Sequence, residues 1–240
     1  MSRSKGSRRR KRASGSDRSV GLPRFESMER RVLLSANLDA GVLKLTGTDG
    51  NDAFTLRAGD QPGQVIVARA PGVERNTLFE NVDRIVIKAL AGNDRVMLGK
   101  DILAADGSMI SSEVDTGAGN DRVVSHSGDD MIMTGDGNDS VVDRMGHDSV
   151  MLGEGDNRAR TGDGDDHIMT GSGRDRINDK GGANTVETGA GDDNVRTGDG
   201  DDHVMTGDGR DRINDRGGDN VIDAGDGDDR IRTRDGNDIV

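Results

Sequence analysis

A glycine recurs every nine residues from Gly119 to Gly236 without a slip. Counted in units from Thr116, the fourth position is Gly in fourteen of fourteen units. The sixth is Asp in eleven of them: Asp121, Asp130, Asp139, Asp148, Asp166, Asp175, Asp193, Asp202, Asp211, Asp229 and Asp238. The other three carry Asn157, Asn184 and Asn220. The eighth position is Val or Ile thirteen times and Ala159 once. A fixed period of this length means a stack of repeated units, each too small to bury its own apolar side chain. Gly marks a turn needing a left-handed backbone or a close approach. One β-branched residue per nine is a very short strand with one inward side chain. The Asp two residues after the Gly places a carboxylate on every turn.

Composition agrees with a thin core. Hydrophobic residues are 30 % of the 240, with three Phe and no Tyr, Trp or Cys; ordinary globular domains hold about 45–50 %. No disulfide framework is possible, and no run approaches the roughly 20 apolar residues of a membrane span. The net charge is −12 and unevenly distributed. Residues 1–31 hold eleven basic and three acidic side chains, net +8, which leaves −20 on the other 209. A basic arm on an acidic body reads as an address segment or a nucleic-acid tail. The acidic body disfavours nucleic acid as the main partner.

Residues 1–36 read as a disordered basic leader. The segment Pro23-Arg24-Phe25-Glu26-Ser27-Met28-Glu29-Arg30-Arg31-Val32-Leu33-Leu34-Ser35-Ala36 resembles the LEPR-XLL motif of large exported bacterial proteins. Met28 stands where that motif has Leu, and Arg30 where it has Pro. The resemblance implies export or surface targeting. Residues 37–88 hold strand-like runs at Val42–Leu45, Phe54–Leu56, Val65–Val67 and Arg84–Ile87. They are expected to form a short N-terminal cap covering the first strand edge of the stack.

From residue 89 to 240 the frame is continuous, with 98–115 expected to be two degenerate units in register. This stretch resembles the RTX (haemolysin-type) calcium-binding nonapeptide, G-G-x-G-x-D-x-U-x, although the first Gly of that unit is here Thr, Asp, Ser, Ala or Leu. The resemblance implies an all-β fold, a right-handed parallel β-roll with two units, 18 residues, per coil. Residues 89–240 would make roughly eight coils stacked over about 40 Å. It also implies several Ca²⁺ ions between turns two units apart, held by the sixth-position aspartates and by carbonyls of the turn glycines. Those glycines pair as Gly117 and Gly119, Gly135 and Gly137, Gly171 and Gly173, Gly189 and Gly191, Gly207 and Gly209, and Gly225 and Gly227.

A cation is needed on physical grounds too. About two inward aliphatics per coil supply a few kcal/mol, against an ordering cost of about 1–2 kcal/mol for each residue. Stacked carboxylates also repel. Ca²⁺ accepts six to eight oxygens in flexible geometry, whereas Mg²⁺ demands a tight octahedron and zinc prefers Cys or His.

The units alternate in two rows. The first row starts at 116, 134, 152, 170, 188, 206 and 224, always with Gly second. The second row reads His126, Arg144, Gly162, Lys180, Gly198, Arg216 and Arg234 at that position. Left-handed non-Gly residues there would carry strain, so the first row is expected to bind calcium tightly and the second less so. Residues 161–179 recur at 197–215, which reads as duplication with little chemical content.

No catalytic constellation is visible: His167 and His203 read as solvated strand flanks, and a thin roll offers no pocket for acyl-transfer chemistry. Arg174 with Arg176, and Arg210 with Arg212, read as surface charge balance. The expected function is calcium binding by a secreted or cell-surface β-roll that folds when calcium arrives. The alternatives are a self-assembling structural or adhesive matrix component, associating through an open coil end at Val240, and a fragment of a larger secreted protein.

Overall fold

The computed structural model describes residues 36–240; the leader and the LEPR-XLL-like motif up to Ser35 lie outside the described residues. Among those residues the regular structure is strand throughout, arranged in a ten-stranded and an eleven-stranded sheet. The first strands are β1 (Ala36–Asp39), β2 (Val42–Thr46), β3 (Ala53–Ala58), β4 (Val65–Arg69), β5 (Thr77–Phe79), β6 (Arg84–Lys88), β7 (Arg95–Leu98) and β8 (Ser111–Asp115). From Arg122 on, every strand is three residues long and sits at the seventh to ninth positions of a unit.

Consecutive units alternate between the sheets. First-row strands such as Arg122–Val124 and Ser140–Val142 pair in parallel in the eleven-stranded sheet. Second-row strands such as Met131–Met133 and Ser149–Met151 do so in the ten-stranded sheet. Partners are 18 residues apart, so two units close one coil of a parallel β-roll, and the eighth-position side chains point inward. Val123, Val141, Ala159, Ile177 and Val195 from one sheet face Ile132, Val150, Ile168, Val186 and Val204 from the other, all buried.

The lower coils are longer. β2 pairs with β6, and β3 with β7, at a spacing of 42 residues. β6 pairs with β8, and β7 with the Arg122 strand, at 27. Residues 98–115 therefore keep the nine-residue phase without adding two half-coils. Their middle bulges out, closes on itself through a Leu103–Met109 bridge, and buries Ile102, Ala104 and Ile110. The apolar residues of that loop make the excursion part of the core.

The strand-like runs of residues 37–88 are strands β2, β3, β4 and β6. β1 and β5 add to them, too short to stand out in the sequence. β1 is antiparallel to β2 at the end of the ten-stranded sheet. The hairpin of β4 and β5 ends the other sheet.

Candidate metal centres

The turns are built on a stacked backbone contact. At the fourth position the glycine is left-handed, φ +149° at Gly137. A Cβ there would lie 1.7 Å from the Gly119 carbonyl oxygen one coil below. Only a residue without a side chain lets successive turns approach this closely.

The sixth-position side chains form two ladders along the roll. In the first row the amide N–H of Asp121 donates to Asp139 Oδ1 at 2.7 Å, and that of Asp175 to Asp193 Oδ1 at 2.8 Å. In the second row Asp130 N–H donates to Asp148 Oδ1, and Asp148 N–H to Asp166 Oδ1, both at 2.9 Å. Asn does this job as well as Asp. Asp139 N–H donates to Asn157 Oδ1 at 2.9 Å, and Asp166 N–H to Asn184 Oδ1 at 2.8 Å. One carboxylate oxygen per turn is thus spent on backbone satisfaction.

The second oxygen is not. Oδ2 of Asp121, Asp139, Asp175, Asp193 and Asp211 in the first row is buried without a hydrogen-bond partner among the described residues. The same holds for Asp148, Asp166 and Asp202 in the second row, and for Asp94 below. An orphaned buried carboxylate oxygen is costly. Burial pushes the carboxyls of Asp139, Asp166, Asp175 and Asp202 up to about 6 from an ordinary 3.8. Asp229 and Asp238, in the last two units, are more open.

A third group joins the second row, and its signal went unused in the sequence. The first position there alternates hydroxyl and carboxylate: Ser125, Asp143, Thr161, Asp179, Thr197, Asp215. Each hydroxyl donates to the carboxylate one coil on, Ser125 Oγ to Asp143 at 2.8 Å and Thr161 Oγ1 to Asp179 at 2.7 Å. The 36-residue recurrence therefore carries chemistry after all.

In units 179 and 215 the sixth residue is Asn, and its amide nitrogen fills the space between oxygens. Asn184 Nδ2 donates to Asp179 Oδ2 at 2.8 Å, Gly182 O at 2.9 Å and Asp202 Oδ1 at 3.0 Å. Asn220 Nδ2 repeats the pattern with Asp215, Gly218 and Asp238. Unit 143 has the first-position acid without the amide. There Asp130, Asp143 and Asp148 each bring a carboxylate oxygen within 4.8 Å of the other two. Burial, and then the neighbouring Asp143, push Asp130 up to about 7 and Asp148 up to about 9.

The glycine rows behave differently from expectation in one respect. Gly117, Gly135, Gly189, Gly207 and Gly225 are left-handed with φ of 75–82°, but Gly171 is not. None of the second-row residues His126, Arg144, Lys180, Arg216 or Arg234 is left-handed, nor are Gly162 and Gly198. The strain argument against the second row therefore falls. Its chain runs extended through the third position, where Asp163, Gly181, Asp199, Gly217 and Asp235 bridge in parallel. What separates units is the sixth residue, not the second.

The RTX calcium-binding nonapeptide repeat model matches in four copies, over residues 113–141, 145–177, 180–213 and 205–240. The chain belongs to the RTX calcium-binding nonapeptide repeat family. No curated protein and no solved structure matches it. RTX repeats indicate calcium binding, and the turns of this chain fit that ion. The donor set is oxygen only, partly anionic, buried and unsatisfied, which suits a hard cation of flexible coordination. The RTX repeat is a structural calcium-binding unit rather than a catalytic one. No helix among the described residues is long and apolar enough to cross a membrane.

Proposed function

We propose that this chain is an exported calcium-binding roll whose repeat region folds when calcium bridges its stacked turns. The observation that carries this reading is the double ladder of buried, unpartnered Asp Oδ2 atoms. Each ion would take a sixth-position carboxylate and carbonyls of the turn glycines. In the first row the carboxylates are Asp121, Asp139, Asp175, Asp193 and Asp211. In the second they are Asp130, Asp148 and Asp166, with Asp143 as an additional ligand, and Asp202. Asn184 and Asn220 put an amide where an ion would otherwise sit, so these two positions hold their coils without metal.

Binding to the folded state alone stabilises it by mass action, and a site formed only on folding couples the two events. Extracellular calcium modules work at about 10⁻⁴–10⁻³ M, which fits a chain unfolded in the cytosol and folded outside. β1 and the β4–β5 hairpin act as the cap of the stack. Far-UV circular dichroism with calcium and with a chelator tests the reading. A coil-to-strand change on adding calcium supports it; an identical strand spectrum in both overturns it.

A further inference from the structure

The charge that looks mixed along the sequence is sorted between the faces of the roll. On the eleven-stranded sheet the seventh positions run in register as Arg95, Arg122, Ser140, Arg158, Arg176, Asn194, Arg212 and Arg230. The ninth positions beside them read Arg160, Asn178, Arg196, Asn214 and Arg232 from the Arg158 strand on. Every one of these arginines is exposed. From Arg95 to Arg232 no outward position of this sheet is acidic. The opposite face carries Met, His, Ser, Thr and two acids between Met131 and Asp223, and neither Arg nor Lys.

Direct ion pairing does not account for the ladder, although Arg158, Arg176, Arg212 and Arg230 also border a groove that holds Asp156, Asp192 and Asp228. Arg174 and Arg210, at the fifth position, pair with Asp156 at 3.1 Å and Asp192 at 2.9 Å. Arg176 and Arg212, two residues on, join no ion pair among the described residues, and nor do Arg158, Arg160, Arg196, Arg230 or Arg232. Arg158 lies directly opposite Arg176, and Arg212 opposite Arg230. Like charges so placed destabilise a sheet. The face also has relief. A groove of 340 Å³ is bordered by Arg158, Arg160, Arg176 and Arg196. An adjoining one of 430 Å³ shares Arg196 and adds Arg212, Arg216, Arg230, Arg232 and Arg234. No acidic residue lines either groove.

We infer that this face is a binding site for a linear acidic polysaccharide, bound through its carboxylate or sulphate groups. The guanidinium fork matches both groups bidentately. The rungs repeat every ~4.8 Å, and the Arg–Asn–Arg alternation at the ninth position every two rungs, roughly 10 Å, so a straight polymer with periodic charge stays in step. Asn178, Asn194 and Asn214, each both donor and acceptor, sit between the arginines where sugar hydroxyls would lie. Single-stranded nucleic acid is bound on stacking aromatics, and this stretch of face has none.

The test uses the full chain in calcium, with immobilised hyaluronate as the carboxylate probe, dextran sulphate as the sulphate probe, neutral dextran, and an oligothymidylate. Salt-sensitive binding to at least one acidic polymer, and none to neutral dextran, is expected. The triple variant Arg158→Ser, Arg176→Ser, Arg212→Ser should bind about tenfold more weakly or worse, the equivalent of one lost charge-assisted hydrogen bond. Arg174→Ser with Arg210→Ser should bind as the unaltered chain does. Circular dichroism in calcium verifies that the variants fold. Should the serine variant fail to fold, Arg→Lys at the same three positions keeps the charge and removes the fork, and still weakens binding. The inference is overturned by no binding to either acidic polymer, by unchanged binding of the ladder variants, or by tighter binding to oligothymidylate.

Discussion

Strands β2, β3, β4 and β6 each bury two large apolar side chains: Leu43 and Leu45, Phe54 and Leu56, Val65 and Val67, Ile85 and Ile87. The three-residue strands from Arg122 to Asp223 each bury one, and the Arg230–Arg232 strand only half-buries Ile231. The missing side chain is worth about 1.5–3 kcal/mol per strand. Buried acid begins just before the core thins: Asp94, next to β7 with its buried Val96 and Leu98, is the first of the described residues with an orphaned carboxylate oxygen. The same solenoid geometry is therefore held together in two ways, by aliphatic packing below and by polar ladders that want a cation above. Removing calcium should separate them. With a chelator at pH 8, hydrogen exchange is expected to lose amide protection from the Arg122 strand to the Arg232 strand. β2, β3 and β6 should keep measurably more. Equal loss, or equal retention, across both regions would break the comparison.

Acid should replace part of the metal mainly in the upper region, with Asp94, also pushed up to about 6 by burial, the one such group below it among the described residues. The turn carboxyls titrate at about 6 for Asp139, Asp166, Asp175 and Asp202, and at about 7 and 9 for Asp130 and Asp148. Burial is the main cause in each case. These values lie above the unfolded 3.8, so the metal-free folded state holds protons more tightly than the unfolded one. Its stability is then fullest below pH 3.8 and is lost as pH rises through about 6 to 9. Thermal scans of the chelated chain should give a higher Tm at pH 5 than at pH 8. With calcium bound the order should flatten or reverse, because protons and metal compete for the same oxygens. A chelated Tm that climbs from pH 5 to pH 8 would contradict the assignment.

A stack of short-strand units was readable from spacing, because the period never slips; the two-unit coil of a parallel roll came only with the resemblance to the RTX repeat. The sixth-position ladder was readable too, since Asp at fixed phase has nowhere else to go. Three things were not. The 27-residue coil over 98–115 keeps the nine-residue phase, and phase does not count strands. Asp143, Asp179 and Asp215 sit at a position that is Thr in most units, and only burial shows them as part of the turn. The arginine face is invisible along the chain, because fifth-position Arg174 and seventh-position Arg176 look alike until one pairs with Asp156 and the other points off the sheet.

Gly191 tests the close approach that both rows share. Its φ is +149°, and a Cβ would lie 1.5 Å from the Gly173 carbonyl oxygen. Gly191→Ala combines backbone strain with overpacking against a backbone that cannot yield, about 3 kcal/mol. Gly107, in the lower excursion, is also left-handed at φ +84° but has open space around it. Gly107→Ala should cost about 1 kcal/mol, the strain alone. The calcium concentration at the folding midpoint should rise clearly for the first and barely for the second. Similar shifts in both would mean that coil-to-coil contact is not what the repeat glycines serve.

The finest division lies inside the upper region, between units that hold an amide and units that hold only acids. In the metal-free chain Asn184 joins Asp179, Gly182 and Asp202 through one nitrogen. Asn184→Asp removes those donors and sets a carboxylate against buried Asp179, for a loss of about 2 kcal/mol without metal. The same change completes an acid pair like Asp143 and Asp148, so calorimetry should find one additional calcium ion per chain. Asp148→Asn is the reciprocal change. It supplies the missing amide beside Asp143, which raises the chelated Tm and removes one ion from the count. If both substitutions lower the chelated Tm and leave the stoichiometry alone, the amide and the ion do not share a place. The upper region would then be uniform, with every turn dependent on calcium to the same degree.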